Sequence, residues 1–194
     1  MKKNLILSIK TLLVFSLICS VVYPGGMWFL GQVFFHEQAQ GSLVRNQNGT
    51  IVGSTLIAQN FSSNSYFQAR PSYAGKNGYD ATASSGSNLG PTSSALMQAI
   101  ASRVSAYRSL NMSYAGGPVP IDAVTASASG LDPHISISNA IHQSTRIATA
   151  RGLHIEEVLN VIYEHTEGRW LWLFGEKRVN VLKMNLALDQ KSRS

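Results

Sequence analysis

The 194-residue chain has little with which to build covalent or metal-centred chemistry. Cys19 is its only cysteine, so it can form no disulfide within itself. The histidines are His36, His134, His142, His154 and His165. They show neither HExxH spacing nor a cysteine partner, and the G-x-x-x-x-G-K-[ST] and G-x-G-x-x-G phosphate loops are absent. We therefore expect no metal ligands and no directly bound cofactor.

Charge is also scarce, and it is missing from a long stretch near the N-terminus. Residues 11–35 contain no Asp, Glu, Lys, Arg or His and follow Lys2, Lys3 and Lys10. A helix of about 20 residues spans the roughly 30 Å hydrocarbon core, and the lysines favour a cytoplasmic N-terminus. The prediction is a short cytoplasmic N-terminus over 1–10, a transmembrane helix over 11–35 and an extracytoplasmic domain over 36–194.

A cleaved signal peptide is the alternative for this apolar segment. Secretory apolar cores usually run for about 7 to 15 residues, whereas this one continues to Phe35, which favours an uncleaved anchor. A lipid-modified Cys19 is disfavoured because Ile18 precedes it, where lipoprotein processing needs a small residue. Pro24, Gly25 and Gly26 interrupt the run, and the glycine pair permits close helix contact with a membrane partner.

The part of the chain beyond residue 35 is only weakly basic. It has 13 Lys plus Arg, the total of 16 less the three N-terminal lysines, against 10 Asp plus Glu. This charge is too small and too dispersed for a nucleic-acid surface, so we expect no nucleic-acid partner. Membrane lipid is the contact that the apolar segment itself predicts.

The pattern after the anchor predicts an α+β domain, with a small sheet and about three packed helices. Leu43–Arg45 and Ile51–Ile57 flank Asn48-Gly49, which suits a β-hairpin turn. Residues 66–92 are rich in Ser, Asn, Gly and Ala, and their aromatic residues favour a long ordered loop region over disorder.

Three helices and a final strand complete the predicted domain. The first helix opens at Ser93, the second runs from Ser138 to Arg151 with Gly152 as its stop, and the third begins at Glu156. Leu182, Met184 and Leu186 alternate with polar residues, which predicts a strand ending near Leu188.

One short segment superficially resembles a catalytic triad, because Ser127, Ser129, Asp132 and His134 lie within eight residues. Triads are assembled in space, and the Gly-x-Ser-x-Gly elbow is missing, so we predict no catalytic residues. The preferred interpretation is a structural loop in which the serines and Asp132 bond backbone N–H groups and Pro133 starts a helix. A partner-contact surface is the second interpretation.

Two further sets of residues allow alternatives. Ser85, Gly86, Ser87 and Asn88 form a Gly/Ser-rich stretch that could cradle a phosphate or lie in a solvated loop. Among isolated charges, Arg70 and Arg146 need carboxylates or carbonyls once partly buried. Internal pairing with Asp122 or Asp132 is the simpler interpretation, and contact with a partner subunit is the alternative.

Several long strings resemble, in order, the C subunit of the bacterial Kdp-type potassium-transporting P-type ATPase. They cover nearly the whole chain. The strings are Gly53–Gln59, Tyr66–Ser72, Ser84–Thr92, Val119–Ser136 and Val179–Leu182, with Gln143 and Arg146 between the last two. Ala58 and Ala128 depart from the family pattern, which usually has glycine at both positions.

The resemblance implies an accessory subunit of a high-affinity potassium uptake complex in the bacterial inner membrane. Its partners would be a channel-like potassium-binding A subunit, the P-type ATPase B subunit and a small F subunit. ATP, Mg²⁺ and K⁺ would act at the level of the complex. The C subunit is described as a catalytic chaperone that raises the ATP affinity of the B subunit and is needed for assembly.

The resemblance and the residue patterns together yield two groups of candidate site residues. Weak candidates for nucleotide-linked or partner contact are Ser85, Gly86, Ser87, Asn88, Gln143 and Arg146. Partner-contact candidates are Pro24, Gly25, Gly26, Arg70, Asp122, Ser129, Asp132 and His134. The alternative function is a stand-alone, membrane-anchored envelope domain that binds a small solute or a cell-wall polymer.

Overall fold

The computed structural model describes residues 2–46, 48–112 and 117–191. The chain divides into two compact units, Met1–Leu43 and Val44–Ser194. The smaller unit carries the long apolar helix, and the larger one holds the mixed helical and sheet domain. The structure thus confirms the predicted fold class, one N-terminal apolar helix followed by an α+β domain.

The first unit is dominated by a helix that begins earlier than the uncharged run. Helical structure extends without interruption over Lys2–Phe34, 33 residues, and among the described residues this is the one helix long and apolar enough to cross a membrane. The three lysines before residue 11 therefore lie on the helix itself. Its parts are α1 (Lys2–Leu17), a π-helical turn (Ile18–Val22) and α2 (Tyr23–Phe34), followed by the short α3 (His36–Ala39).

The π-helical turn explains how the helix continues through Pro24. Proline has no N–H, and its ring collides with the carbonyl group four residues earlier, here that of Ser20. Ser20 lies inside the π-helical turn, where the wider spiral relieves this conflict. Pro24, Gly25 and Gly26 are all within α2, so the helix continues through them with a local adjustment.

The second unit contains short strands and longer helices. Their order is β1 (Leu43–Arg45), β2 (Ile51–Ser54), α4 (Ser94–Leu110), α5 (Ile121–Val124), β3 (His134–Ser136), α6 (Ile137–Arg151), α7 (Ile155–Glu164), β4 (Thr166–Glu167), β5 (Arg178–Asn180) and α8 (Val181–Lys191). Strands β1 and β2 pair with each other, as the hairpin prediction requires, although β2 ends three residues early. No helix or strand lies between β2 and α4, which confirms the long loop region.

The three predicted helices form near their predicted positions because local capping groups fix their ends. The Ser93 hydroxyl accepts a hydrogen bond from the Leu96 N–H at the start of α4. Ser136 caps α6 in the same way, and Gly152, at φ 66°, ends it in the left-handed conformation that glycine adopts readily. Helix α7 begins with a capping box between His154 and Glu157.

Strand β5 is the centre of an antiparallel sheet with the order β3-β5-β4. Val179 of β5 lies opposite Ile135 of β3 and Thr166 of β4. Helices α6 and α8 pack beside this sheet, and α7 packs against both of these helices. The core residues that these elements bury are Phe67, Ile135, Ala140, Ile147, Ala148, Val158, Val161, Ile162, Val179, Val181, Met184 and Leu188.

The predicted C-terminal strand is wrong beyond Asn180, because the segment forms α8. Val181, Met184 and Leu188 recur at helical spacing, and each is at most 2% exposed. The Asn180 side chain accepts a hydrogen bond from the Lys183 N–H and so caps the helix. Because apolar residues also fall at alternate positions, the sequence satisfies both periods, and packing against α7 and β5 selects the helix.

Candidate functional site

Arg146, on α6, is the centre of a buried polar cluster. Its side chain is almost fully buried, with the residue 7% exposed. The guanidinium group donates hydrogen bonds to the Tyr66 carbonyl oxygen at 3.1 Å, to Asn111 Oδ1 at 3.0 Å, to Gln143 Oε1 at 3.0 Å and to the Asn64 carbonyl oxygen. Burial lowers the pKa of Arg146, and Tyr107 partly offsets that effect. Arg146 is therefore satisfied by oxygen atoms of its own chain, in place of the carboxylate partner that we considered.

Gln143 lies one turn earlier and uses both ends of its amide. Its Oε1 accepts from the Gln68 N–H at 2.8 Å, and its Nε2 donates to the Gln68 carbonyl at 3.2 Å and to Asn139 Oδ1 at 3.0 Å. Asn139 in turn donates to Asp122 Oδ2 at 3.1 Å. Asp122 also accepts from the N–H and hydroxyl of Ser136, which ties α5 to the start of α6.

This set, which we call the α6 polar network, comprises Asp122, Asn139, Gln143 and Arg146. Three of its members were candidates for nucleotide or partner contact, and the structure places all three in internal hydrogen bonds. Asn139 was missed, although its place four residues before Gln143 on one helix was visible in the sequence. The network fastens the long loop at residues 64–68 to α6.

The Gly/Ser-rich stretch lies against the loop that precedes β3. Both the Ser85 N–H and the Ser84 hydroxyl donate to the Ser129 carbonyl at 3.1 Å, and the Ser85 hydroxyl donates to the Tyr73 carbonyl at 2.9 Å. A Cβ atom on Gly86 would lie 2.8 Å from the Ala128 carbonyl oxygen, so glycine is needed for this close approach.

The end of the same stretch is also engaged locally. The Ser87 hydroxyl accepts a hydrogen bond from the Leu89 N–H at 3.5 Å, and Asn88 has a positive φ of 52°. The Ser85 N–H and hydroxyl are used within the fold, which removes two donors that a phosphate cradle would need. The stretch and Ser129 thus form one packed pair of loops.

A second cluster, which we call the charged groove, contains Arg70, Asp132, His134, Glu167 and Arg178. Arg70 Nη1 lies 2.9 Å from Asp132 Oδ2, which confirms internal pairing for this arginine. The His134 ring lies between two carboxylates, with Nδ1 3.5 Å from Asp132 and Nε2 3.4 Å from Glu167. Glu167 also pairs with Arg178 and with Lys183.

The groove is open to solvent, and its cations stabilise the ionised forms of its two carboxylates, Asp132 and Glu167. Burial raises the pKa of Asp132, but hydrogen bonds from His134 and the nearby Arg70 more than offset this effect and lower it to about 2. The pKa of Glu167 is also lowered, because Lys183, His134 and Arg178 outweigh its partial burial. A concavity of about 240 Å³ lies here, lined by Arg70, Asp122, Asp132, His134, Ile135, Ser136, Glu176, Lys177 and Arg178.

Four predicted partner-contact residues therefore meet in one place: Arg70, Asp122, Asp132 and His134. Glu167 and Arg178 were missed, because they reach the groove only through the pairing of β4, β5 and β3. Pro24, Gly25 and Gly26 belong to the separate helical unit. The groove can offer alternating charges to a polar partner surface.

The superficial triad does not assemble. Both ring nitrogens of His134 face carboxylates, whereas Ser127 and Ser129 lie with their hydroxyl oxygens 3.4 Å apart. The Ser129 hydroxyl accepts from the Leu131 N–H, and Asp132 accepts from the His134 N–H, as expected of turns. Pro133 precedes strand β3, so the prediction that it starts a helix is wrong.

A cleft of about 340 Å³ lies between α4 and the long loop. Its polar lining includes Gln68, Tyr79, Arg103, Tyr107 and Gln143. Arg103 donates to the Val124 carbonyl, and the Tyr79 hydroxyl donates to the Arg70 carbonyl. Burial raises the pKa of Tyr79, and Arg103 partly offsets it. Within residues 2–46, 48–112 and 117–191 no group of three or more His, Cys, Asp or Glu residues is placed to hold a metal ion.

Comparison with known families connects this chain to a transport system. The family model described as "K+-transporting ATPase, c chain" matches residues 5–190. The chain belongs to the KdpC family. The matched range covers most of both units of the structure, so the KdpC match includes the apolar helix as well as the α+β domain.

Individual KdpC relatives agree with the family match over almost their full length. The protein named potassium-transporting ATPase KdpC subunit from Mycobacterium bovis (strain BCG / Pasteur 1173P2) is 50% identical over 190 residues, covering 98% of this chain and 100% of the relative. Its namesake from Herminiimonas arsenicoxydans is 48% identical over 190 residues, covering 98% and 99%. That from Methylococcus capsulatus is 50% identical over 178 residues, covering 92% and 93%. Potassium transport by an ATPase complex is thus the functional setting of the family.

Proposed function

We propose that this chain is an accessory subunit that assembles and stabilises a potassium-transporting ATPase complex and raises the ATP affinity of its P-type ATPase B subunit indirectly. The observation that carries the indirect version is the α6 polar network. Gln143 and Arg146, the candidates for nucleotide contact on α6, direct their polar groups at Asn64, Tyr66, Gln68, Asn111 and Asn139 of the same chain. Binding a nucleotide there would require breaking these bonds.

The candidate span supports the same conclusion. With Lys2, Lys3 and Lys10 at its N-terminal end, the positive-inside rule favours a domain on the extracytoplasmic side of the inner membrane. ATP is hydrolysed on the cytoplasmic side, so an effect on ATP affinity would pass through subunit contacts as a coupling free energy. ATP, Mg²⁺ and K⁺ then act on the complex, and this chain contributes no catalytic residue.

The charged groove is the proposed docking surface for the partners. Asp132 and Glu167 are each about one-third exposed and already held in place by cations of their own chain. Such pre-organised charges confer specificity and speed association at protein surfaces. We assign the groove to the channel-like, potassium-binding A subunit, and the helix containing Pro24, Gly25 and Gly26 to membrane contacts with the A, B or F subunits.

Reconstitution of the complex with and without this chain tests the proposal. We expect potassium-stimulated ATPase activity to fall and the KM for ATP to rise when the chain is omitted. Arg70→Gln should weaken co-purification with the partners while the isolated chain stays folded, and Arg108→Gln, at an exposed arginine of α4, is the matched control. Unchanged assembly and activity without the chain would overturn the proposal.

The second candidate function is a stand-alone envelope domain that binds a small solute or a cell-wall polymer. The cleft beside α4 is the observation in its favour, because about 340 Å³ lies within the range of small-molecule sites. Purification in mild detergent separates the two functions. Co-purification with a P-type ATPase and a channel-like protein supports the subunit, whereas a lone chain that binds a solute supports the envelope domain.

A further inference from the structure

The segment between β4 and β5 exposes a continuous apolar surface. We call Trp170–Phe174 the aromatic tip. Its side chains are largely in solvent, with Trp172 95% exposed and Trp170 70% exposed, and Leu171, Leu173 and Phe174 each more than half exposed. Single exposed apolar residues are ordinary on protein surfaces, but contiguous ones indicate contact with a partner or a membrane.

The backbone of the aromatic tip is defined by its own hydrogen bonds. Trp170 and Phe174 exchange two backbone hydrogen bonds of 2.9 Å each, which closes a tight loop. Leu171 and Trp172 have φ of 50° and 64°, a conformation that bulky residues rarely adopt. The loop therefore holds the indole and isobutyl groups outward at the end of the β4–β5 ribbon.

Cationic residues flank the aromatic tip in the sequence. Arg169 precedes it, and Lys177 and Arg178 follow it, with Glu176 as the acidic residue in the same stretch. Arg169 pairs with Glu176 at 3.0 Å and remains about half exposed. A concavity of about 500 Å³ is lined by Gly168, Arg169, Trp172 and Lys177, so an exposed indole and two cationic side chains border the same space.

This arrangement matches an amphiphile with an anionic head and an apolar tail. Tryptophan concentrates at membrane–water interfaces, and arginine and lysine beside it attract anionic lipid headgroups. The same chain carries a candidate membrane span, and covalent attachment raises the effective concentration of the domain at the bilayer. Even a weak interfacial contact is therefore populated.

We propose that the aromatic tip inserts into the interfacial layer of the membrane in which the chain is anchored, with Arg169 and Lys177 facing anionic headgroups. A partner protein is the competing occupant. The lipid surface is favoured because the tip is a narrow protrusion with a cationic border, which a deformable anionic layer can accept without a complementary pocket. This lipid contact goes beyond the proposed function, and Lys177 lines both this concavity and that of the charged groove.

Fluorescence of the full chain in vesicles tests the insertion directly. The double variant Trp28→Phe and Trp170→Phe leaves Trp172 as the sole tryptophan. In vesicles of phosphatidylcholine with phosphatidylglycerol, we expect its emission to shift to shorter wavelength and to lose most of its intensity when bromine-labelled lipids are included. The matched control replaces all three tryptophans by phenylalanine and adds Ile121→Trp, at another exposed apolar position outside the tip; we expect little quenching there.

A second experiment tests whether the cationic side chains beside the tip are needed for insertion. Adding Arg169→Gln and Lys177→Gln to the single-tryptophan protein should reduce the quenching and abolish its dependence on phosphatidylglycerol. Circular dichroism of each variant checks that the domain is folded. Quenching of Trp172 no greater than that at position 121 would overturn the proposal. Protection of Trp172 that develops only when the ATPase subunits are reconstituted with the chain would assign the tip to a protein partner instead.

Discussion

The α6 polar network and the charged groove use similar side chains but differ in their access to water. In the network, Arg146 is 7% exposed and its bonds end on oxygens of the same chain. In the groove, the side chains of Asp132 and Glu167 are 31% and 34% exposed. Burial therefore separates two roles for polar residues: the network holds the long loop in place, and the groove is accessible to a partner. The following predictions test this difference, beginning with the largest expected effect.

Replacement of Arg146 should destabilise the domain most. Arg146→Met removes the donors to the Asn64 and Tyr66 carbonyl oxygens and to Asn111, and leaves the buried Asn111 side chain without this partner. We expect a loss of about 3–5 kcal/mol in the free energy of unfolding. Thermal unfolding in mild detergent, followed by circular dichroism, measures it, with Arg108→Met as the exposed control. Equal melting temperatures for the two variants would show that the network does not stabilise the fold.

Gln143→Leu should be the next most severe change. The Gln68 N–H and carbonyl lose their side-chain partner, so we expect a cost of about 2–3 kcal/mol. Gln98→Leu, on the exposed side of α4, is the matched control. If Gln143 instead served nucleotide binding, its replacement would raise the KM for ATP of the reconstituted complex and leave unfolding unchanged.

Asp132→Asn should have a smaller effect that depends on pH. Because the folded pKa of Asp132 is about 2 and its ordinary value is 3.8, the ionised carboxylate stabilises the fold above pH 3.8. This contribution is lost as the pH falls through about 2. We expect a difference from the unsubstituted protein of about 1–2 kcal/mol at pH 7, allowing for solvent screening.

Chemical denaturation at pH 7 and at steps down to pH 2 measures this difference, with Glu164→Gln as an exposed control. A difference that stays constant down to pH 2 would mean that pairing with Arg70 and His134 does not stabilise the ionised form.

Lys183→Gln should have the smallest effect. Lys183 lies 3.2 Å from Glu167, but its side chain is 43% exposed, and such pairs contribute about 0–1 kcal/mol. High salt should remove the difference between the two proteins, which unfolding at low and high ionic strength would reveal. A larger loss in the free energy of unfolding that persists at high salt would show that the groove stabilises the fold as the buried network does.

Local signals predicted much of the fold. Ser93 and Gly152 mark helix ends through bonds to residues a few positions away, so the sequence nearby contains the information. The final segment failed because its apolar residues satisfy both a period of two and a helical period. The decisive Asn180 cap was present, but the packing that selects α8 comes from α7 and β5.

The sites were harder to predict than the helices. Gln143 and Arg146 were singled out as contact candidates, but their partners at residues 64–68 lie some 75 to 82 positions away, so their internal hydrogen bonds were hidden. Glu167 carried no motif at all. It joins His134 only because β3 and β4 flank β5, and strand pairing over such distances has no local pattern.

The π-helical turn at Ile18–Val22 has a consequence for how the span meets its neighbours. Widening the spiral acts like one inserted residue, which turns the side chains that follow it by about 100° around the helix axis. A stripe of side chains that begins in α1 therefore continues on a different side of α2. A straight neighbouring helix can follow only one half of this stripe. The parts of the span before and after the π-helical turn can therefore contact two different neighbouring helices.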